Sequence, residues 1–221
     1  MSTIPQTLIR FPDIRLATRD AHKLRGYFGD LFKERSPLLH NHFEDGSLRY
    51  KYPLVQYKVV NEIPMLVGLN DGAALLTELF LKISELKINR QVYPVMQKNL
   101  DHYQAPAGMD TNLHTYRFVN LWMALNQENH SLYLNTEKPA EKQNLLNTIL
   151  RNNILSFFKG VNIWVDTPVM VKGIFSEHET QFKGNPMAAF SGEFVSNAIL
   201  PELIGIGKSV SRGFGTVIKK G

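Results

Sequence analysis

Apolar positions along the first half of the chain change period several times. Residues 7–18 alternate loosely, with Leu8, Phe11, Ile14 and Leu16 among polar neighbours and a break at Pro12, which predicts an interrupted strand. Asp20 is placed to cap a helix to about Lys33, whose Leu24, Tyr27, Phe28, Leu31 and Phe32 fall at helical spacing. An extended stretch follows over residues 39–60, with a turn at Glu44-Asp45-Gly46 and a second arm bearing Tyr50, Tyr52, Leu54, Val55 and Val59. Asn61-Glu62 leads into a strand over residues 63–69. Gly72 then opens an apolar helix over residues 73–84, and residues 86–93 return as a strand. The order β-α-β-β-α-β is that of a ferredoxin-like domain.

The pattern pauses at Ala105-Pro106-Ala107-Gly108-Met109-Asp110, which is low in bulky residues and marked by Pro and Gly. This predicts a first domain over residues 1–104, a linker over 105–112 and a second domain over 113–221. In the second, residues 114–125 read as a strand. Residues 138–158 form an amphipathic helix carrying Leu145, Leu146, Ile149, Leu150, Ile154 and Leu155. Strands follow over residues 161–175, 188–195 and 217–218, with no second helix that the pattern can place between them.

Composition narrows the chemistry. A chain of 221 residues, 43% hydrophobic and with 13 Phe and 8 Tyr, can bury one large core or two of about 100 residues each. A formal charge of +5 favours polyanionic partners such as nucleic acid. The absence of cysteine excludes disulfides, thiolate metal sites and a cysteine nucleophile, and fits a reducing cytoplasm. Residues 1–10 lack a signal-peptide pattern, and no apolar run approaches the roughly 18 residues of a membrane span. The expectation is a cytoplasmic protein with no membrane partner.

Residues 205–215 read Gly-Ile-Gly-Lys-Ser-Val-Ser-Arg-Gly-Phe-Gly, two Gly-x-Gly pairs enclosing Lys208, Ser209, Ser211 and Arg212. Glycine lets backbone N–H groups approach a phosphate and adopts the positive φ that turns successive N–H groups toward one anion. Gly205, Gly207, Gly213 and Gly215 are thus candidate cradle positions, and the four side chains between them add charge and hydroxyls. A nucleotide-binding P-loop shares the letters Gly207-Lys208-Ser209 but needs glycine where Glu202 stands and a βαβ unit beyond, so ATP or GTP is excluded. Lys219 and Lys220 lie near enough in sequence to add phosphate contacts.

This loop, reached through Phe190-Ser191-Gly192-Glu193-Phe194-Val195 and Leu203-Ile204, resembles the C-terminal signature of the CRISPR repeat-RNA processing endoribonucleases, the sixth Cas family. His22-Lys23-Leu24-Arg25-Gly26-Tyr27-Phe28 and His40-Asn41-His42 resemble its b subtype. The resemblance implies an α+β fold of two tandem ferredoxin-like (RRM-like) domains ending in the glycine-rich loop. It implies CRISPR repeat RNA (precursor crRNA) as partner, other Cas proteins as further partners, and no cofactor; a homodimer is compatible with it. The implied reaction is metal-independent cleavage by 2′-OH attack, leaving a 2′,3′-cyclic phosphate (or 2′/3′-phosphate) and a 5′-OH.

His40 and His42 are two apart, so on an extended backbone they point to one side. Histidine can act as base toward a 2′-OH or as acid toward a leaving 5′-oxygen near neutral pH. In the b subtype the resemblance implies such a pair assisted by a tyrosine. Tyr50 and Tyr52 share one strand face and Tyr50 is chosen, whereas Lys51 points to the other. His22 and Tyr27 are reserve candidates, because some members place the catalytic histidine on or just after the first helix. A His-x-His metal pair lacks a third ligand at suitable spacing, so no metal is expected. Solitary His102, His114, His130 and His178 are left out, and Tyr116, Phe118, Trp122, Phe157, Phe158 and Trp164 read as core. The rival function is a non-catalytic RNA-binding subunit of a CRISPR effector complex.

Overall fold

The structure is a computed structural model that describes residues 2–32, 52–182 and 185–221. The chain forms two compact units. One gathers Thr3–Ala105 together with Val210–Gly213; the other holds Ser2, Pro106–Ser209 and Phe214–Gly221.

In the first unit, strand β1 is Ser2–Arg10, followed by helix α1 (Ala21–Leu31), strands β2 (Val55–Val60) and β3 (Ile63–Leu69), and helix α2 (Asp71–Leu79). β1 starts five residues before the predicted strand and ends ahead of Pro12. Its Ile4, Gln6 and Leu8 are buried, and so are Thr7 and Ile9 on the opposite face. A strand buried on both faces carries no clean alternation, so the pattern does not mark its start. β2 and β3 are joined by Asn61 and Glu62, both at positive φ (50° and 64°), the conformation of a tight hairpin turn. α1 buries Leu24 and Phe28, and the Phe28 ring stacks on Phe11, Phe32 and Tyr57 with centroids 5.9 to 6.3 Å apart. α2 adds Leu76 and Leu79 to the same core and continues only as a 3-10 turn, Phe80–Lys82.

Residues 86–93, expected as the fourth strand, instead form a separate hairpin of β4 (Glu85–Ile88) and β5 (Gln91–Pro94). Asn89 and Arg90 both take positive φ and fold the segment back on itself. The fourth strand is the start of β6 (Asn99–Phe118), beside β1, which completes the order β2-β3-β1-β6. Thr7 Oγ1 meets His102 Nδ1 at 2.8 Å, and Arg10 pairs with Asp101. The expected linker at 105–112 lies inside β6. Its glycine and proline mark an irregularity rather than a break: Gly108 has φ +143°, and the register shifts between Met109 and His114.

In the second unit, β6 is followed by helices α3 (Gln127–Asn135) and α4 (Pro139–Gly160), then strands β7 (Val171–Phe182), β8 (Asn185–Ile199) and β9 (Val217–Lys219). β6 pairs with β8, Tyr116 opposite Phe194, and with β9, Arg117 opposite Ile218; β7 and β8 form one long hairpin. The resulting order β9-β6-β8-β7 repeats that of the first unit with β6 as its first strand. Both units are therefore ferredoxin-like, as expected. α4 buries Leu146, Ile149, Leu150 and Ile154 as its periodicity predicts, but Leu145 is only half-buried and Leu155 is exposed. α3 escaped notice because it buries only Tyr133 while Leu132 and Leu134 face outward. Between β8 and β9, where the pattern calls for a second helix, the chain carries the glycine-rich segment with one 3-10 turn, Val210–Arg212. That explains why no second helix could be placed. No helix among the described residues is long and apolar enough to cross a membrane.

Lys58 on β2 is fully buried, and burial pushes its ammonium down to about 7. The unfolded chain holds that proton to about pH 10.4. Between the two values the unfolded state binds more protons, so this group makes stability rise with pH from about 7 to 10. Denaturant titrations across that window should show the rise in the parent and a flatter profile in Lys58→Met.

Candidate nucleic-acid interface

The glycine segment is held in place mainly by its own backbone. Ile206 N–H donates to Gly215 O (2.8 Å), Lys208 N–H to Met123 O (3.0 Å), Gly213 N–H to Val210 O (3.3 Å) and Gly215 N–H to Leu121 O (2.8 Å). These four donors are committed within the protein, so the expected backbone cradle is not offered at Gly213 or Gly215. Their glycines serve close packing instead. A Cβ on Gly215, at φ +64°, would collide with the Ile206 carbonyl oxygen, and one on Gly207, at φ +101°, would stand 2.5 Å from Trp122 Nε1. Trp122 is fully buried, and its indole N–H has no hydrogen-bond partner among the described residues.

What the segment presents outward is its side chains. Lys208 is exposed, whereas Ser209, Ser211 and Arg212 are half-buried. Partial burial pulls the Arg212 guanidinium, and to some degree the more exposed Lys208 ammonium, below their ordinary ranges. Lys219 is exposed, with its backbone N–H on Glu202 Oε1 (3.0 Å); the Lys220 ammonium is tied to Glu193 at 2.9 and 3.0 Å. Gly205 is buried and bridged to Thr216.

His40, His42, Tyr50 and Lys51 lie outside the described residues. Tyr52 accepts a hydrogen bond from Gln56 Nε2 (2.8 Å). Of the reserve pair, His22 is exposed on the first turn of α1, with Nδ1 2.7 Å from the Arg19 carbonyl oxygen. That contact makes Nδ1 the donor and leaves Nε2 as the acceptor of a neutral ring. Tyr27 spends its hydroxyl on Glu85 O (2.8 Å), and burial, with Glu85, raises its pKa. Arg25 is half-buried on α1, and burial and then repulsion from Arg212 hold its guanidinium below the usual arginine range.

The model of the Cas6b N-terminal domain matches residues 2–105, and that of the Cas6b C-terminal domain matches residues 108–220. This chain belongs to the Cas6b family. A solved structure described as Cas6b superposes with a TM-score of 0.94 at 32% identity, covering 99% of this chain and 100% of that one. A second, described as the CRISPR RNA processing endoribonuclease Cas6b, gives 0.80 at 30% identity with the same coverage. An uncharacterised protein from Methanocaldococcus jannaschii is 34% identical over 143 residues, 64% of this chain and 97% of its own length. Thermus thermophilus Cas6, at 12% identity and a TM-score of 0.55 over the whole of both chains, shares the fold. The Cas6b assignment thus runs through both ferredoxin-like units.

Proposed function

We propose that this chain is an endoribonuclease that binds CRISPR repeat RNA and processes precursor crRNA. The observation that carries the reading is its end-to-end similarity to a Cas6b described as a CRISPR RNA processing endoribonuclease. The outward side chains of the glycine segment support it, since Lys208 and Arg212 supply phosphate-binding charge and Ser209 and Ser211 supply hydroxyls. The first domain, residues 1–104, carries the cutting residues, and the second, 113–221, carries the glycine segment. The site of action is the cytoplasm, and other Cas proteins or a second copy of this chain are partners consistent with it.

The chemistry we propose needs no metal. One imidazole of His40 and His42 takes the proton from the 2′-OH, and the 2′-oxygen attacks the adjacent phosphorus. The P–O5′ bond breaks as the other imidazolium protonates the 5′-oxygen. Tyr50 hydrogen-bonds the charge that builds on the phosphorane. The products are a 2′,3′-cyclic phosphate and a 5′-OH, with no water consumed.

Two substrates and one reagent test the mechanism. Cleavage should persist in chelator and vanish when the nucleotide before the cut carries 2′-deoxyribose. Cutting of the deoxy substrate, or loss of activity in chelator that added metal restores, would contradict it.

A further inference from the structure

In the second unit β7 is an edge strand, at the end of the order β9-β6-β8-β7. On its inner side it pairs with β8 from Val171 opposite Ser196 to Phe182 opposite Asn185. An edge strand turns the N–H and C=O of every second residue outward, and such a row is a template for pairing with another chain. Gly173 and Phe175 belong to that row, since their backbone groups turn to α4 and away from β8.

Two carboxamides of α4 meet them. Phe175 N–H donates to Gln143 Oε1 (3.0 Å), and Gln143 Nε2 donates back to the Phe175 carbonyl oxygen (2.9 Å). Gly173 N–H donates to Asn147 Oδ1 (2.7 Å), and Asn147 Nδ2 donates to Gly173 O at 3.5 Å. Each side chain makes the reciprocal pair of bonds that a residue of a neighbouring antiparallel strand would make. The spacings match as well: positions i and i+4 of a helix lie about 6 Å apart along its axis, and positions i and i+2 of a strand about 6.8 Å.

Gln143 and Asn147 are half-buried beside Leu146 and Leu150, which are fully buried. Leucine would serve packing at both positions, and a carboxamide drawn out of water is costly unless it is bonded. Here both amides spend their bonds on the strand edge. The next outward position, Glu177, accepts the Tyr133 hydroxyl from α3 (2.9 Å), and Glu179 beyond it is exposed. Acids at successive edge positions repel like-charged chain laid against them.

We infer that Gln143 and Asn147 act as a strand mimic that seals the β7 edge against pairing with a second copy of this chain. Any partner of the protein therefore docks elsewhere than on this stretch of β7. The seal does not depend on the RNA-processing reading.

The test compares the full-length parent with the double variant Gln143→Leu/Asn147→Leu by sedimentation velocity over a concentration series. Thermal melting checks folding, and hydrogen exchange follows the Gly173 and Phe175 amides. The double variant should form larger species than the parent at equal concentration, and in dilute solution the two amides should exchange about five- to tenfold faster. Ile174, between the two capped residues, is 80% exposed and can be replaced by lysine, whose charge on an edge strand opposes pairing. Adding Ile174→Lys to the double variant should restore the parent's mass.

A folded double variant with the parent's mass would overturn the seal even if its amides exchange faster, because the carboxamides would then only fasten α4 to the sheet. Larger species that persist with Ile174→Lys would place the association elsewhere and overturn it too. So would unprotected Gly173 and Phe175 amides in the parent. If the double variant does not fold, Gln143→Ala and Asn147→Ala decide singly: a shift to larger species in either supports the seal, and the parent's mass in both overturns it.

Discussion

His40→Ala and His42→Ala should each slow single-turnover cleavage of repeat RNA by about 10²–10⁴-fold while leaving affinity for uncleaved RNA within a few-fold of the parent. The split follows from their assigned roles. A group that moves a proton in the transition state contributes to rate, whereas the proposal assigns binding to the cationic side chains of the glycine segment. The pair works as a unit, so the double variant should be little slower than the worse single one. With one imidazole acting as base and the other as acid, the parent pH–rate profile should be bell-shaped, with limbs set by groups that start near 6.5. Each Ala variant should lose one limb. Tyr50→Phe removes only a hydrogen bond to the phosphorane and should fall about tenfold. Full activity in both histidine variants would move the chemistry to His22, whose Nε2 is left as an acceptor by the Nδ1 contact with Arg19.

Gly215→Ala should destabilise the fold on the order of 3 kcal/mol, measured by denaturant titration. Two effects add. The residue sits at φ +64°, and its new Cβ would meet the Ile206 carbonyl oxygen, a rigid backbone atom whose own residue donates to Gly215 O at 2.8 Å. Neither can move without breaking the ladder that joins Leu203, Ile204 and Val217. Ser211→Ala, half-buried a few residues away, should change stability by less than about 0.5 kcal/mol and weaken RNA binding instead. The contrast separates the scaffold role of the glycines from the ligand role of the residues between them. Trp122, buried against Gly207, reports on the same place: the chain has two tryptophans, and the other, Trp164, expected in the core, is instead 90% exposed. In a Trp164→Phe background, fluorescence of Trp122 should shift in Gly207→Ala.

Much of the fold could be read from pattern because its signals are local. α1, α4 and the β2–β3 hairpin announce themselves by periodicity and by Asn61-Glu62. The readings that failed did so where a residue's meaning depends on distant chain. Asn89-Arg90 looks like the middle of a strand until both take positive φ. The residues at 105–112 look like a linker, yet small residues with Pro and Gly also suit an irregular strand, and Ala105 and Ala107 are buried. The glycine segment was found at once by its letters, but its purpose was not. Only packing shows that Gly213 and Gly215 spend their N–H groups internally.

The central claim is that this Cas6b-family chain cuts CRISPR repeat RNA. The most direct test incubates the purified chain with the repeat RNA of its own organism's array, beside a scrambled RNA of equal length, and maps the product ends. The account predicts one cut within the repeat, with a 2′,3′-cyclic phosphate or its 2′/3′-phosphate product on the upstream fragment and a 5′-OH on the downstream one, and no cut in the scrambled RNA. Tight binding of the repeat without cleavage would contradict it and indicate an RNA-binding subunit. A 5′-phosphate on the downstream fragment would contradict 2′-OH attack.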